Sequence, residues 1–114
     1  MGAGDYEEIG SGGYNDTRAM TVLGDHLYVI DAGTLYRIAT DGGYEVVASG
    51  YNNAAAMAAM GGVLYVLDDG TLYKVARDGE YEWLASGYND ARGMTALGGA
   101  LWIMNGGQLY RVEG

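Results

Sequence analysis

Three copies of one short stretch carry the side chains best suited to hold a ligand. Gly13-Tyr14-Asn15-Asp16, Gly50-Tyr51-Asn52-Asn53 and Gly87-Tyr88-Asn89-Asp90 recur at a step of 37 residues, from position 14 to 51 to 88. Each tyrosine offers a flat apolar ring with a polar tip, a surface that can stack on a sugar. The neighbouring Asn15, Asn52, Asn53 and Asn89, with Asp16 and Asp90, supply hydrogen-bonding groups for hydroxyls. Arg18 and Arg92 follow at a fixed offset and suit either those carboxylates or an anion. A second account needs no ligand: the tyrosines wedge between repeats, and Asn and Asp bond the local backbone as Asx-turns.

Other chemistry finds less support. His26 stands alone, its equivalents being Val63 and Ala100, and there is no cysteine. Neither a transition-metal set nor a Cys/His pair can be assembled from that inventory. Ser11, Ser49 and Ser86 recur, but no histidine recurs to activate them. Asp31-Ala32-Gly33-Thr34 and Asp68-Asp69-Gly70-Thr71 lack the alternating ligands and closing Glu of an EF-hand loop, and read as hairpin turns. No glycine-rich phosphate loop with a lysine is present, and Asn15-Asp16-Thr17 matches a glycosylation sequon in one repeat alone. The expectation is therefore no cofactor, no metal and no catalytic residues.

The chain of 114 residues is of single-domain size, and its 49% hydrophobic content points to a folded core. A net charge of −9 argues against nucleic acid and against an anionic membrane surface, since both call for a basic face. No apolar run approaches the eighteen or so residues of a membrane span. The stretch Met1-Gly2-Ala3-Gly4-Asp5 has neither the basic nor the apolar part of a signal peptide, and nothing assigns a compartment.

The elements that must position these residues follow from the same 37-residue period. Met20, Met57 and Met94 keep the step, as do Leu35-Tyr36, Leu72-Tyr73 and Leu109-Tyr110. Between them lie short apolar runs broken by Gly/Asp turns, the pattern of an antiparallel meander. In the first repeat the runs are 19–23, 27–31, 35–39 and 44–48. Ala54-Ala55-Ala56-Met57-Ala58-Ala59-Met60 has helical propensity. Its counterparts, residues 17–23 and 91–97, carry Thr, Val and a central Gly93, so all three are read as strands. Small side chains suit innermost strands crowded near an axis. Four strands per repeat at this length predict an all-β fold, a β-propeller with three four-stranded blades per chain. The repeats fall at about 14–50, 51–87 and 88–114, with a further strand at 6–9.

That further strand bears on closure. Tyr6-Glu7-Glu8-Ile9 is similar to the outer strands Tyr44-Glu45-Val46-Val47 and Tyr81-Glu82-Trp83-Leu84, whereas the third repeat reaches Leu109-Tyr110-Arg111-Val112 without an outer strand of its own. The N-terminal strand is thus expected to complete the last blade. Because propellers need about four to eight blades, the simplest closure is a symmetric homodimer with six blades, each N-terminal strand completing a blade of the partner. Three chains with nine blades is the other solution.

The residues Ile9-Gly10-Ser11-Gly12-Gly13-Tyr14-Asn15-Asp16, followed by Leu27-Tyr28-Val29 and Leu35-Tyr36, resemble the blades of tachylectin-type β-propeller lectins. The resemblance implies sites for N-acetylated amino sugars between blades, here at Tyr14, Tyr51 and Tyr88 with their neighbours. The lack of Phe, Pro and Cys and the close likeness of the repeats also suit a designed or truncated repeat protein. The expected role is a self-assembling, non-catalytic scaffold with itself as partner, and the alternative is a multivalent lectin binding carbohydrate at the blade junctions.

Overall fold

The computed structural model describes residues 2–114. Among the described residues there are eleven strands and no helix. The first sheet takes β1 (Thr17–Leu23), β2 (His26–Asp31), β3 (Thr34–Ile38) and β4 (Tyr44–Ser49) in chain order. The second repeats it with β5 (Ala54–Met60), β6 (Val63–Asp68), β7 (Thr71–Val75) and β8 (Tyr81–Ser86). The third has only β9 (Ala91–Leu97), β10 (Ala100–Asn105) and β11 (Gln108–Val112). Every neighbouring pair is antiparallel. The alanine-rich segment 54–60 is strand β5, as its place in the repeat requires, so sheet pairing overrides its helical propensity.

Tight hairpins set the registers. At Ala32-Gly33 both central residues have positive φ (50° and 83°), and Asp69-Gly70 repeats this at 51° and 79°. That is the type I′ geometry whose twist matches a hairpin's flanking strands. Each first strand carries a bulge near its start, between Thr17 and Ala19, between Ala54 and Ala56, and opposite Met104/Asn105 in the third sheet.

Two apolar layers join the three sheets. The first places Leu23, Tyr28, Ile30 and Leu35 of sheet one against Met57, Leu64, Val66 and Val75 of sheet two. The second places Tyr65, Leu67 and Leu72 of sheet two against Leu101 and Ile103 of sheet three. The central strand β6 therefore buries both faces, which explains its unbroken apolar run, while β2 turns Tyr28 and Ile30 toward sheet two. The innermost strands follow one another, β5 lying between β1 and β9. On β5, Ala54, Ala56 and Ala58 are buried.

Both ends of this arc are bare. Met20 on β1 is 62% exposed while its equivalent Met57 is 5% exposed. Leu109 on β11 is 51% exposed while Leu35 and Leu72 are fully buried. Within one chain Tyr6–Ile9 forms no strand, and the third sheet stays at three strands. The segment lies at the opposite end of the arc: a Cβ on Gly42 would meet Gly10 Cα at 2.6 Å and Ile9 Cγ2 at 3.2 Å. Among the described residues no helix is long and apolar enough to cross a membrane.

Candidate functional site: the tyrosine junctions

The second and third Gly-Tyr-Asn stretches carry the backbone from the outer strand of one sheet to the inner strand of the next, and the first leads into β1. Gly50 and Gly87 take φ near 100°, turning the chain off β4 and β8. The stretch then locks onto the preceding sheet. Tyr51 N–H donates to Gly33 C=O and Tyr88 N–H to Gly70 C=O, both at 3.0 Å. The side-chain amides of Asn52 and Asn89 rest on Gly33 and Gly70, where a Cβ would collide with Oδ1. Asn15 begins the first sheet and has no preceding hairpin in its own chain, while Gly107, the equivalent of Gly33 and Gly70, has nothing within 4 Å of a built Cβ.

The next residue caps the inner strand. Asp16, Asn53 and Asp90 donate their backbone N–H at 2.9 Å to Asp31 Oδ1, Asp68 Oδ1 and Asn105 Oδ1 respectively. Thr17 Oγ1 adds a second donor to Asp31 at 3.1 Å. Arg18 and Arg92 sit outside this core, in exposed ion pairs with Asp16 (3.1 Å) and Asp90 (3.2 Å). Such local exposed pairs contribute about 0–1 kcal/mol.

The tyrosines do come together, with partners that the repeat stretch alone does not reveal. Tyr36 on β3 stands between Tyr14 and Tyr44, at ring-centroid distances of 5.7 and 5.6 Å and interplanar angles of 85° and 81°. Tyr73 stands between Tyr51 and Tyr81 in the same way, at 6.2 and 5.8 Å, 76° and 83°. Strand register explains the pairing. Ile38 lies opposite Tyr44 and Val75 opposite Tyr81, so the tyrosine two residues earlier is a diagonal neighbour on the same face. In the third sheet Tyr88 meets Tyr110 at 6.3 Å and 80°, and no outer-strand tyrosine follows.

Each complete trio walls a small open cavity. One of about 210 Å³ is lined by Ser49, Gly50, Tyr51, Asp68, Tyr73 and Tyr81. Its counterpart, about 170 Å³, is lined by Ser11, Gly12, Gly13, Tyr14, Asp31, Tyr36 and Tyr44. Desolvation raises the Asp68 pKa above the ordinary carboxylate value, opposed by the Asn53 N–H and reinforced by Asp69. Burial likewise raises the pKa of Tyr14, with Tyr44, Tyr36 and Asp31 adding, and that of Tyr51, with Tyr81, Asp68 and Tyr73 adding. Tyr36, Tyr44, Tyr73, Tyr81, Asp31 and Asp68 belong to the site together with Tyr14 and Tyr51. The signal is available in the sequence, since Tyr36/Tyr73, Tyr44/Tyr81 and Asp31/Asp68 all keep the 37-residue step.

A third and larger cavity, about 380 Å³, is apolar and lies between residues 9–14 and the bare face of sheet one, with Met20, Leu27, Val29 and Ile38 in its wall. No three His, Asp or Glu side chains converge as a metal site among the described residues.

No family model and no curated protein matches the chain. Solved structures do. Virginiamycin B lyase from Staphylococcus aureus superposes with a TM-score of 0.67 at 14% identity, over 85% of this chain and 38% of its own. A chain of a nidogen/laminin complex gives 0.68 at 13%, over 78% and 39%. The computationally designed Ika4 protein gives 0.54 at 8%, over 95% of this chain and 99% of its own. The chain thus spans about two fifths of the length of the first two. At such identities the likeness shows the fold, and that fold is a β-propeller, its three sheets being blades.

Proposed function

We propose that this chain is a self-assembling propeller scaffold in which two copies close a six-bladed ring. The observation that carries the reading is the pair of bare faces. Met20 and Val22 on blade one, and Leu97, Met104 and Leu109 on blade three, are all more than 40% exposed. They occupy the same repeat positions as residues that form the two blade junctions inside the chain. One face is the missing partner of the other. A ring of two chains satisfies both at once, as a head-to-tail contact that closes must do.

The N-terminal segment supports the same reading. Ile9 lies against Gly42 as Val47 of blade one lies against Gly79 of blade two, whose built Cβ comes within 3.4 Å of Val47 Cγ1. Residues 6–9 thus sit against blade one where the outer strand of a preceding blade belongs, awaiting its three inner strands. Supplied by a second copy, those are β9 to β11. By analogy with β3/β4, where Ile38 faces Tyr44 and Arg37 faces Glu45, Val112 would face Tyr6 of the second copy and Arg111 would face its Glu7. Arg37 hydrogen-bonds Glu45 across the first pair through Nε at 2.8 Å, so the exchanged strand carries matching charge. Asn15 of the second copy would meet the open Gly107, and Tyr6 would complete the third tyrosine trio.

The lectin alternative draws on Tyr14, Tyr51 and Tyr88 and their neighbours. Since Asn52 and Asn89 are engaged on glycines and the arginines on adjacent carboxylates, the scaffold reading is the better supported. Sedimentation equilibrium tests it. Twice the 12.0 kDa chain mass at micromolar concentration is expected, and a stable monomer would overturn it.

A further inference from the structure

Two cavities of the same construction, made by the same repeat positions, are not used by ring closure. Each has three tyrosine walls, the outer two each nearly perpendicular to the middle one. Each has an aspartate in its lining, Asp31 in one and Asp68 in the other. The bland account is that the rings simply pack and the aspartate simply caps the inner strand. The third repeat tests that account internally. There Asn105 Oδ1 accepts the Asp90 N–H at 2.9 Å, the same distance as at Asp31 and Asp68. Capping therefore needs only an oxygen, and the negative charge at positions 31 and 68 exceeds what the turn requires. Among the described residues the second carboxylate oxygen of Asp68 makes no hydrogen bond, and Asp68 borders an open cavity.

Aromatic faces present the negative side of a quadrupole, and several of them around one point attract a cation that holds its water weakly. A carboxylate at the edge of such a box adds direct charge pairing, and the −9 chain favours a positive ligand further. The cavity volumes, about 170 and 210 Å³, suit a small head group. We infer that the Tyr14/Tyr36/Tyr44/Asp31 and Tyr51/Tyr73/Tyr81/Asp68 cages bind organic ammonium groups, of the alkylated class found on quaternary amines. Both cages are complete within one chain, so the inference stands whether or not two copies close a ring. The third position has Asn105 in place of the aspartate, whatever completes its tyrosines, and is the weak member of the set.

The test is a titration of the full chain with tetramethylammonium chloride, followed by tyrosine fluorescence or by NMR of the tyrosine rings, against sodium chloride at matched ionic strength. Saturable binding in the millimolar range is expected, with the perturbed rings at positions 14, 36, 44, 51, 73 and 81. Asp31→Asn with Asp68→Asn, which copies the third repeat and so preserves the capping bonds, should weaken binding by about tenfold or more, the scale of one lost charge-assisted contact. Circular dichroism of that variant should be unchanged. Tyr73→Leu, which keeps bulk at the blade face, should abolish the response at the second cage only. The idea is overturned by linear, non-saturating shifts equal to those of sodium, or by unchanged affinity in the double Asp→Asn variant. Equal binding of the neutral isostere 3,3-dimethyl-1-butanol or of N-acetylglucosamine at the same rings also overturns it, since charge would then not select the ligand.

Discussion

Leu72 and Leu109 occupy the same position in successive repeats, and comparing their alanine variants separates a closed ring from a free arc. Leu72 is fully buried between blades two and three, while Leu109 is 51% exposed on one chain alone. Truncation to alanine removes three carbons. At about 0.8 kcal/mol per buried methylene the transfer loss at a buried site is about 2.4 kcal/mol, and the residual cavity brings such changes to about 2–5 kcal/mol. In a free arc half of the Leu109 side chain already meets water and no enclosed cavity is left, so the cost falls to about 1 kcal/mol. If blade one of a second copy covers Leu109, Leu109→Ala costs as much per chain as Leu72→Ala. Urea unfolding by circular dichroism, run at several protein concentrations because dimer stability depends on concentration, reads both costs. Equal losses are expected. A loss at Leu109 of about 1 kcal/mol or less, beside a full loss at Leu72, refutes the covered face.

Asp68→Asn is expected to stabilise the fold at neutral pH by up to about 1 kcal/mol, the scale of one hydrogen bond. Burial raises the folded-state pKa of Asp68, so its ionised form costs stability above that pKa and the cost is relieved as pH falls. The advantage of Asn should shrink through the acid carboxylate range and vanish below it, and thermal melts from pH 7 down to pH 3 check the sign. Ala32→Gly should add about 0.5–1 kcal/mol, because Ala32 sits at φ 50° where its repeat-three counterpart is Gly106 at 58°. A melting temperature that does not rise would show that the hairpin tolerates the side chain without strain.

The repeat makes much of this architecture legible in the sequence. Glycine and aspartate at fixed offsets marked the hairpins, and the second-strand run at residues 63–67 marked a strand covered on both sides. The junction stretches were legible as connectors for the same reason. Less legible was what their side chains touch. Asn52 packs on Gly33 and Asn89 on Gly70, contacts between residues about twenty apart that no local pattern encodes. The outer-strand tyrosines Tyr44 and Tyr81 reach Tyr36 and Tyr73 through strand register, and register is set by turn length and by the bulges that shift the pairing between Leu35 and Tyr36 and between Leu72 and Tyr73. The carboxylates Asp31 and Asp68 read as turn residues, and are so, but only the fold shows that they line cavities together with tyrosines. Residues 6–9 read as an outer strand from similarity alone. In one chain they pair with nothing, because the edge they match lies at the other end of the arc.

Ring closure rests on strand exchange between two copies, and the lack of cysteine in the sequence makes that exchange directly measurable. Residues facing each other in an antiparallel pair have Cα atoms about 4.5–5.5 Å apart, within the reach of a disulfide. Tyr6→Cys combined with Val112→Cys, oxidised and run under denaturing conditions without reductant, should give a species of twice the chain mass in high yield. The control pair Tyr6→Cys with Lys74→Cys should not. A monomeric product alone, or equal yields from the two pairs, would contradict ring closure by exchange of residues 6–9.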